Sequence, residues 1–255
     1  MFRSAQALRP DYGLDAPGLG RGLCAAGGVS VGLGLMLGRA PRGRCPVRLA
    51  AVGGLLATGA YLVGLSGIMR YASRIGKLRE RDRLLDLIAW SGDEHVLDAG
   101  CGRGLMLVGA AKRLTTGRAV GVDIWREVDQ GGNRPDAALE NARLEGVAER
   151  VAVETADVRS LPFADGSFDV VLSHWLVHNL PSRADRVAAL HEMIRVLRPV
   201  GTLIVADIHY QDEYVSILHD LGLREVRRLE DDWQARLCGL LTWGGFLPSA
   251  VIARK

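Results

Sequence analysis

Residues 96–104 read Val-Leu-Asp-Ala-Gly-Cys-Gly-Arg-Gly. This is a short apolar strand that runs into a glycine turn and then, over Leu105–Leu114, into an apolar helix. Asp98 sets a carboxylate at the tip of the strand. Gly100, Gly102 and Gly104 let the backbone turn sharply and approach a ligand closely, where a Cβ would obstruct it. The helix that follows points its free N–H groups into the same crevice, which favours an anionic group there. The segment therefore predicts a small-molecule site at the tip of the first strand of an α/β sheet. Its spacing narrows the choice of ligand. A dinucleotide-binding turn, Gly-x-Gly-x-x-Gly, needs its third glycine at position 105, but Leu105 stands there and the glycine falls at 104. A nicotinamide oxidoreductase is thus the weaker reading.

Three further strands continue the pattern. Ala119–Asp123 ends in a second carboxylate, nineteen residues past Gly104. Val151–Thr155 is followed by Asp157 and Leu161-Pro162-Phe163, and Phe168–Ser173 forms the fourth strand. Arg195–Gly201 closes the next helix before a fifth strand at Thr202–Ala206. With the acidic-x-Gly-x-Gly-x-Gly turn, this set resembles the class I S-adenosylmethionine-dependent methyltransferases, most closely their type 11 branch. The resemblance runs over about residues 84–255. It implies a doubly wound, seven-stranded, mostly parallel Rossmann-like sheet with an antiparallel C-terminal strand, and S-adenosyl-L-methionine as cofactor. By the same resemblance the cofactor contacts come from Asp98, Ala99, Gly100, Cys101, Gly102, Gly104, Asp123, Ile124, Asp157, Val158 and Ser173. Asp123 would hold the ribose hydroxyls, and Asp157 would face the adenine amino group. The pattern departs from the family at Pro199-Val200-Gly201, where Pro-Gly-Gly is usual.

Composition limits the other classes. The 255 residues suffice for one α/β domain and an appendage. Cys24, Cys45, Cys101 and Cys238 are scattered, with no Cys-x-x-Cys pair or neighbouring histidines, so neither a metal site nor a disulfide framework is expected. The net charge of +3 divides unevenly. Residues 1–83 carry thirteen Lys and Arg against four Asp and Glu, whereas residues 84–255 carry nineteen against twenty-five. An acidic domain lacks the basic footprint that grips a phosphate backbone, which argues against nucleic acid as a partner.

The basic excess belongs to an N-terminal region of another kind. Leu49–Met69 is twenty-one uncharged residues, long enough to cross a hydrocarbon core, and Gly22–Gly38 is an uncharged run of seventeen. Arg39–Arg48, with Pro41 and Pro46, reads as the turn between two antiparallel helices. Gly28 and Gly32, Gly53 and Ala57, and Ala60 and Gly64 recur four apart and would let the helices pack closely. A methyl donor made in the cytosol implies a domain on the cytoplasmic side of a membrane, and Arg70, Arg74, Lys77, Arg79, Arg81 and Arg83, which follow the second run, agree with that expectation. The expected organisation is an irregular tail at 1–21, a membrane hairpin at 22–69 and a methyltransferase domain at 70–255.

In the domain, helices are expected at Arg74–Trp90, from Pro135 to Gly146, at Ala184–Leu197 and at Asp212–Leu221. Leu223–Arg228 and Ser249–Ala253 read as a closing antiparallel hairpin. The long loop Trp125–Arg134 lies beside Asp123, where it could cover the cofactor. Methyl transfer is an in-line displacement that positioning alone accelerates. A general base is needed only if the acceptor must lose a proton. The candidates are His174 and His178 after the fourth strand, then Asp207 and His209 after the fifth. Cys101 reads as a packing residue. The acceptor is expected to be a small or lipophilic molecule, such as a quinone or polyprenyl compound, met at a membrane. The competing reading is a membrane-tethered protein that binds the cofactor without turnover.

Overall fold

The computed structural model describes residues 9–14, 16–39, 45–127, 130–230, 233–242 and 248–255, with only the backbone of Trp233 and Gln234. Two units divide the chain. Gly13–Lys77 makes up most of one; residues 9–12, 78–127 and 132–255 make the other.

The first unit is a pair of helices, α1 (Pro17–Arg39) and α2 (Pro46–Tyr71). α1 starts five residues before the expected start of the hairpin, on a proline that suits a first turn. The turn expected at Arg39–Arg48 lies largely outside the described residues. Both helices are long and apolar enough to cross a membrane, and their apolar surface is largely uncovered: Met36 and Val47 are more than two-thirds exposed. Small residues do bring the helices together, but on another stripe from the expected one. A Cβ built on Gly27 would lie 2.9 Å from Gly59 O, and one on Gly59 would lie 2.5 Å from Val31. Gly28, Gly32, Gly53 and Gly64 have nothing within 4 Å of such a Cβ. A helix this rich in glycine offers several small-residue stripes. The one used lets Val31 and Val63 seat against the opposing glycines. Ser30 and Ser66 donate across the pair to Leu55 O and Gly20 O at 2.8 and 2.9 Å, which satisfies both hydroxyls without water.

From α2 the chain passes through a π-helical stretch, Ala72–Gly76, into α3 (Lys77–Leu85). The helix expected to reach Trp90 thus stops at Leu85, and the Trp90 indole N–H donates to Leu85 O at 2.8 Å. The second unit is built on β1 (His95–Ala99), β2 (Arg118–Asp123), β3 (Val151–Thr155), β4 (Phe168–His174), β5 (Leu197–Asp207), β6 (Arg224–Arg228) and β7 (Ser249–Arg254). They form one sheet in the order β3-β2-β1-β4-β5-β7-β6. β1 to β5 are mutually parallel, and β7 runs antiparallel between β5 and the edge strand β6. The closing pair is therefore the antiparallel edge hairpin expected from the sequence, with β7 against β5 and β6 outermost. A helix that sequence periodicity did not reveal, Trp233–Leu241, joins the two.

Helices α4 (Leu105–Ala111), α5 (Pro135–Leu144), α6 (Arg183–Val196) and α7 (Gln211–Asp220) complete the layers. Both faces of the sheet are covered at its inner strands, which is why β4, β5 and β7 carry runs of Val, Leu, Ile and Ala, whereas the outer strands β3 and β6 are largely exposed. Leu97, Val171, Leu203 and Val205 pack with Leu190, Met193 and Tyr214 on one side. Val96, Leu172 and Ile204 pack with Leu107, Leu84 and Tyr12 on the other. Strand order reverses between β1 and β4, so a crevice opens beyond their C-terminal ends, where ligands of such sheets bind. β5 is already paired with β4 at Leu197, five residues before its expected start. Inside it, Val200 takes φ +62° with its side chain in solvent.

Candidate cofactor and catalytic site

The glycine turn forms as its spacing requires. Gly100, Gly102 and Gly104 have φ of +78°, +51° and +83°. The N–H groups of Gly100 and Cys101 both reach back to Val122 O, at 2.8 and 3.0 Å, and fasten the turn to the end of β2. Asp98 is buried beneath it. One carboxylate oxygen, Oδ2, accepts the Leu107 N–H of α4 at 2.8 Å, while Oδ1 is buried with no hydrogen-bond partner. Burial above all, with help from the nearby Asp123 charge, raises its pKa to about 7. On the neighbouring strand the Ser173 hydroxyl is likewise buried and unpartnered. Two orphaned polar atoms at the switch point fit a ligand that carries its own donors, as the amino-acid end of S-adenosylmethionine does.

Asp123 belongs to the same cluster. Its Oδ2 accepts the Gly102 N–H at 2.9 Å, and Oδ1 accepts the Trp125 N–H at 2.6 Å and the Asn133 amide at 3.2 Å. Sequence reasoning missed Asn133, because an asparagine in a loop carries no signal of the carboxylate it will meet. Trp125 turns back at φ +60° and donates its indole N–H to Thr155. Ile124 is exposed beside it, and Ala99 is fully buried. Val158 is buried next to Asp157, whose carboxylate lies at the surface and takes a forked pair of hydrogen bonds from Arg159. That cation holds Asp157 below the usual carboxylate range. Burial pushes the Cys101 thiol up, away from nucleophile chemistry, and its sulfur packs against Gly121.

The two histidines expected after β4 part company. His174 stacks on Trp175, with ring centroids 5.1 Å apart, and sets Nε2 3.4 Å from Glu80 of α3. His178 turns toward the end of β5 instead. Its Nδ1 and its backbone N–H both meet Asp207, a fully buried carboxylate that also accepts the Ile208 N–H and the Tyr214 hydroxyl. With four donors around it, Asp207 is a partner rather than a base. It orients the imidazole with Nδ1 toward the carboxylate and Nε2 on the far side of the ring. His209 lies near, its ring 6.2 Å from that of His178. The loop that carries His178 is seated on the glycine turn: a Cβ on Gly100 would lie 2.6 Å from the Leu176 side chain. Among the described residues no group of three or more His, Cys, Asp or Glu side chains is arranged to hold a metal ion.

Sheet order, glycine turn and acidic strand ends are arranged as in class I S-adenosylmethionine-dependent methyltransferase domains. Residues 97–205 match the family model for the methyltransferase domain Methyltransf_11. Among curated proteins, the chain is 36% identical over 131 residues to methyltransferase GfsG of Streptomyces halstedii, covering 51% of this chain and 43% of that one. It is 30% identical over 134 residues to demethylmenaquinone methyltransferase of Lactiplantibacillus plantarum, covering 52% and 53%. The chain thus spans about half the length of the curated relatives it matches. A solved S-adenosylmethionine-dependent methyltransferase from Aquifex aeolicus shares the fold, with a TM-score of 0.54 at 21% identity over 74% of this chain and 97% of that one.

Proposed function

We propose that the chain is a membrane-anchored methyltransferase that moves the methyl group of S-adenosylmethionine onto a small, lipophilic acceptor, with His178 as general base. One observation carries this reading: the loop bearing a histidine oriented by a buried carboxylate packs directly on the glycine turn. When bound, S-adenosylmethionine supplies an electrophilic methyl group on a sulfonium. Asp98 and Ser173 would hold its amino-acid end, and the backbone of Ala99, Gly100, Cys101, Gly102 and Gly104 would line its path. Asp123 and Ile124 would hold the ribose side. Asp157 and Val158 would border the adenine, with Arg159 steadying the carboxylate there. His178 Nε2 would take the proton from an acceptor hydroxyl as that oxygen attacks, and Asp207 would stabilise the imidazolium that forms. Such a pair is surplus to a protein that only binds the cofactor, which favours turnover over a silent tether. His174, turned to Glu80, would line the site without taking the proton.

The lipophilic acceptor rests on α1 and α2, whose exposed apolar surfaces suit lipid, and on the demethylmenaquinone methyltransferase among the relatives. The basic run from Arg70 to Arg83 would keep the domain on the cytoplasmic side. The test uses full-length protein in membranes, S-adenosylmethionine labelled in its methyl group and a total extract of the host cell. Label in the organic phase, lost in the double variant Asp98→Ala, Asp123→Ala, supports a lipid acceptor. Label confined to the aqueous phase overturns the lipid acceptor and keeps the enzyme. No label above the double variant overturns both.

A further inference from the structure

Arg103 stands between two glycines of the turn, at a place where the turn needs only backbone. Its long cation has no part in the reading above, yet its side chain is only 16% exposed. Each nitrogen of the guanidinium is engaged. Nε donates to Asp11 O at 2.7 Å, Nη2 to the Asp11 carboxylate at 3.0 Å and Nη1 to Gly132 O at 3.2 Å. Gly132, at φ +69°, leaves room for this contact: a Cβ there would lie 2.6 Å from Nη1. The next residue, Asn133, donates to Asp123, and Asp123 in turn accepts from Gly102.

The segment that Arg103 grips is itself docked. Asn141 of α5 accepts the Asp11 N–H at 2.9 Å and donates to both Asp11 O and Arg103 O, at 2.9 and 2.8 Å. Tyr12 is 5% exposed, packs in the core with Leu84 and Met106, and reaches Glu145 with its hydroxyl at 3.2 Å. The Asp11 carboxylate is three-quarters exposed, so its ion pair alone contributes little. The tie is carried by the backbone carbonyls and by Asn141.

We propose that Arg103 is a positioning residue, a clamp that holds the cofactor turn, the Gly132–Asn133 loop and the strap Asp11–Tyr12 in one arrangement. The proposal rests on the reading of residues 98–104 as the cofactor site. Three loops that would otherwise move independently are set before the ligand arrives, which lowers the ordering cost of binding. The strap is also the last piece of chain before the apolar hairpin, so the cofactor turn is fastened to the segment that leads into it. Lysine cannot replace arginine here, because one ammonium does not span three acceptors in a fork.

The test measures S-adenosylhomocysteine binding by calorimetry and amide hydrogen exchange on full-length protein in detergent, for wild type, Arg103→Ala, Arg103→Lys and the distant control Arg143→Ala. The expected result is a loss of affinity of about tenfold in both Arg103 variants. Faster exchange at residues 9–12 and 130–133 should accompany it, with kcat at saturating S-adenosylmethionine unchanged. Affinity within about twofold of wild type in Arg103→Lys overturns the proposal, whether or not exchange quickens, because the tie would then be architectural only. Should Arg103→Ala fail to fold, Arg103→Lys keeps the charge and decides alone. If wild type binds no S-adenosylhomocysteine, the cofactor reading falls and takes the clamp with it. Protected amides at residues 9–12 would mark that outcome as a failure of the cofactor and not of the tie.

Discussion

His178 and Asp207 meet side chain to side chain across the C-terminal ends of β4 and β5, with imidazole Nδ1 against a carboxylate that has no exposed surface. The backbone reinforces the pair. The His178 N–H donates to the other oxygen of Asp207 at 2.9 Å, and Trp175 N donates to Ala206 O at 2.8 Å, so the loop and the strand end move as one. An imidazole held in this way turns Nε2 away from the carboxylate.

Replacing His178 by Ala or Gln is expected to lower kcat by about 10²- to 10⁴-fold with little change in S-adenosylhomocysteine affinity. Asp207→Asn would release the ring and lower kcat by a comparable factor. It would also leave Tyr214 and two backbone N–H groups with poorer acceptors, so some stability goes as well. His174→Ala should cost far less. Equal losses at the two histidines, read from initial rates at saturating cofactor, would remove the distinction between them.

Asp98 gives a dependence on pH with a fixed sign. Its pKa is raised from 3.8 to about 7 by burial, so the protonated form is the one the fold prefers. The stability it contributes is fully present below about pH 4 and is lost as pH rises through about 7. Asp98→Asn escapes that loss, and in urea unfolding at pH 8 it should gain on the order of 1–3 kcal/mol over wild type while losing the cofactor. A bound ammonium beside Oδ1 would favour the ionised form, so binding below about pH 7 must release a proton. Affinity for S-adenosylhomocysteine should therefore be weaker at pH 6 than at pH 8. Calorimetry in two buffers of different ionisation enthalpy counts the proton, and equal affinities at the two pH values would place the ammonium elsewhere.

Much of this architecture was legible because glycine, proline and strand-end carboxylates leave a signature in sequence. The turn from Asp98 to Gly104, the parallel strands and the Pro135 helix start all fall where local chemistry puts them. What escaped depends on partners far along the chain. Tyr12 and Asp11 look like part of an irregular tail until Asn141, some 130 residues away, accounts for them. Likewise the choice between His174 and His178 turns on Glu80 and Asp207, which no local pattern links to either. The packing face of α1 was misread for a related reason, since Gly27 and Gly28 differ only in what α2 places opposite them.

Val200 is the one departure from the usual motif whose cost the structure makes plain. A β-branched residue at φ +62° bears the steric penalty of left-handed backbone, and its side chain, 87% exposed, gains no burial in return. Its N–H, bonded to Lys255 O at 3.0 Å, survives substitution. Val200→Gly is therefore expected to stabilise the domain by about 1 kcal/mol, with no effect on cofactor affinity. Differential scanning calorimetry checks the direction, and a lower Tm would mean that the valine makes a compensating contribution.

The strap changes how the apolar helices should be removed to test what they do. A truncation after residue 69 deletes Asp11 and Tyr12 together with α1 and α2, so it confounds loss of the membrane with loss of the clamp on Arg103. Gly13 and Lys77 lie within one lysine side chain of each other, the Lys77 ammonium donating to Gly13 O at 2.8 Å. A short Gly-Ser linker between them can therefore excise the hairpin and keep the strap. The excised protein is expected to leave the membrane fraction and to bind S-adenosylhomocysteine within about threefold of wild type, whereas the truncation should lose about tenfold. If the acceptor is lipophilic, transfer to acceptor in vesicles should fall in the excised protein, while transfer to acceptor dispersed in detergent persists. Unchanged transfer in vesicles would make the hairpin a matter of location, and equal cofactor affinity in truncated and excised proteins would deprive the strap of its role.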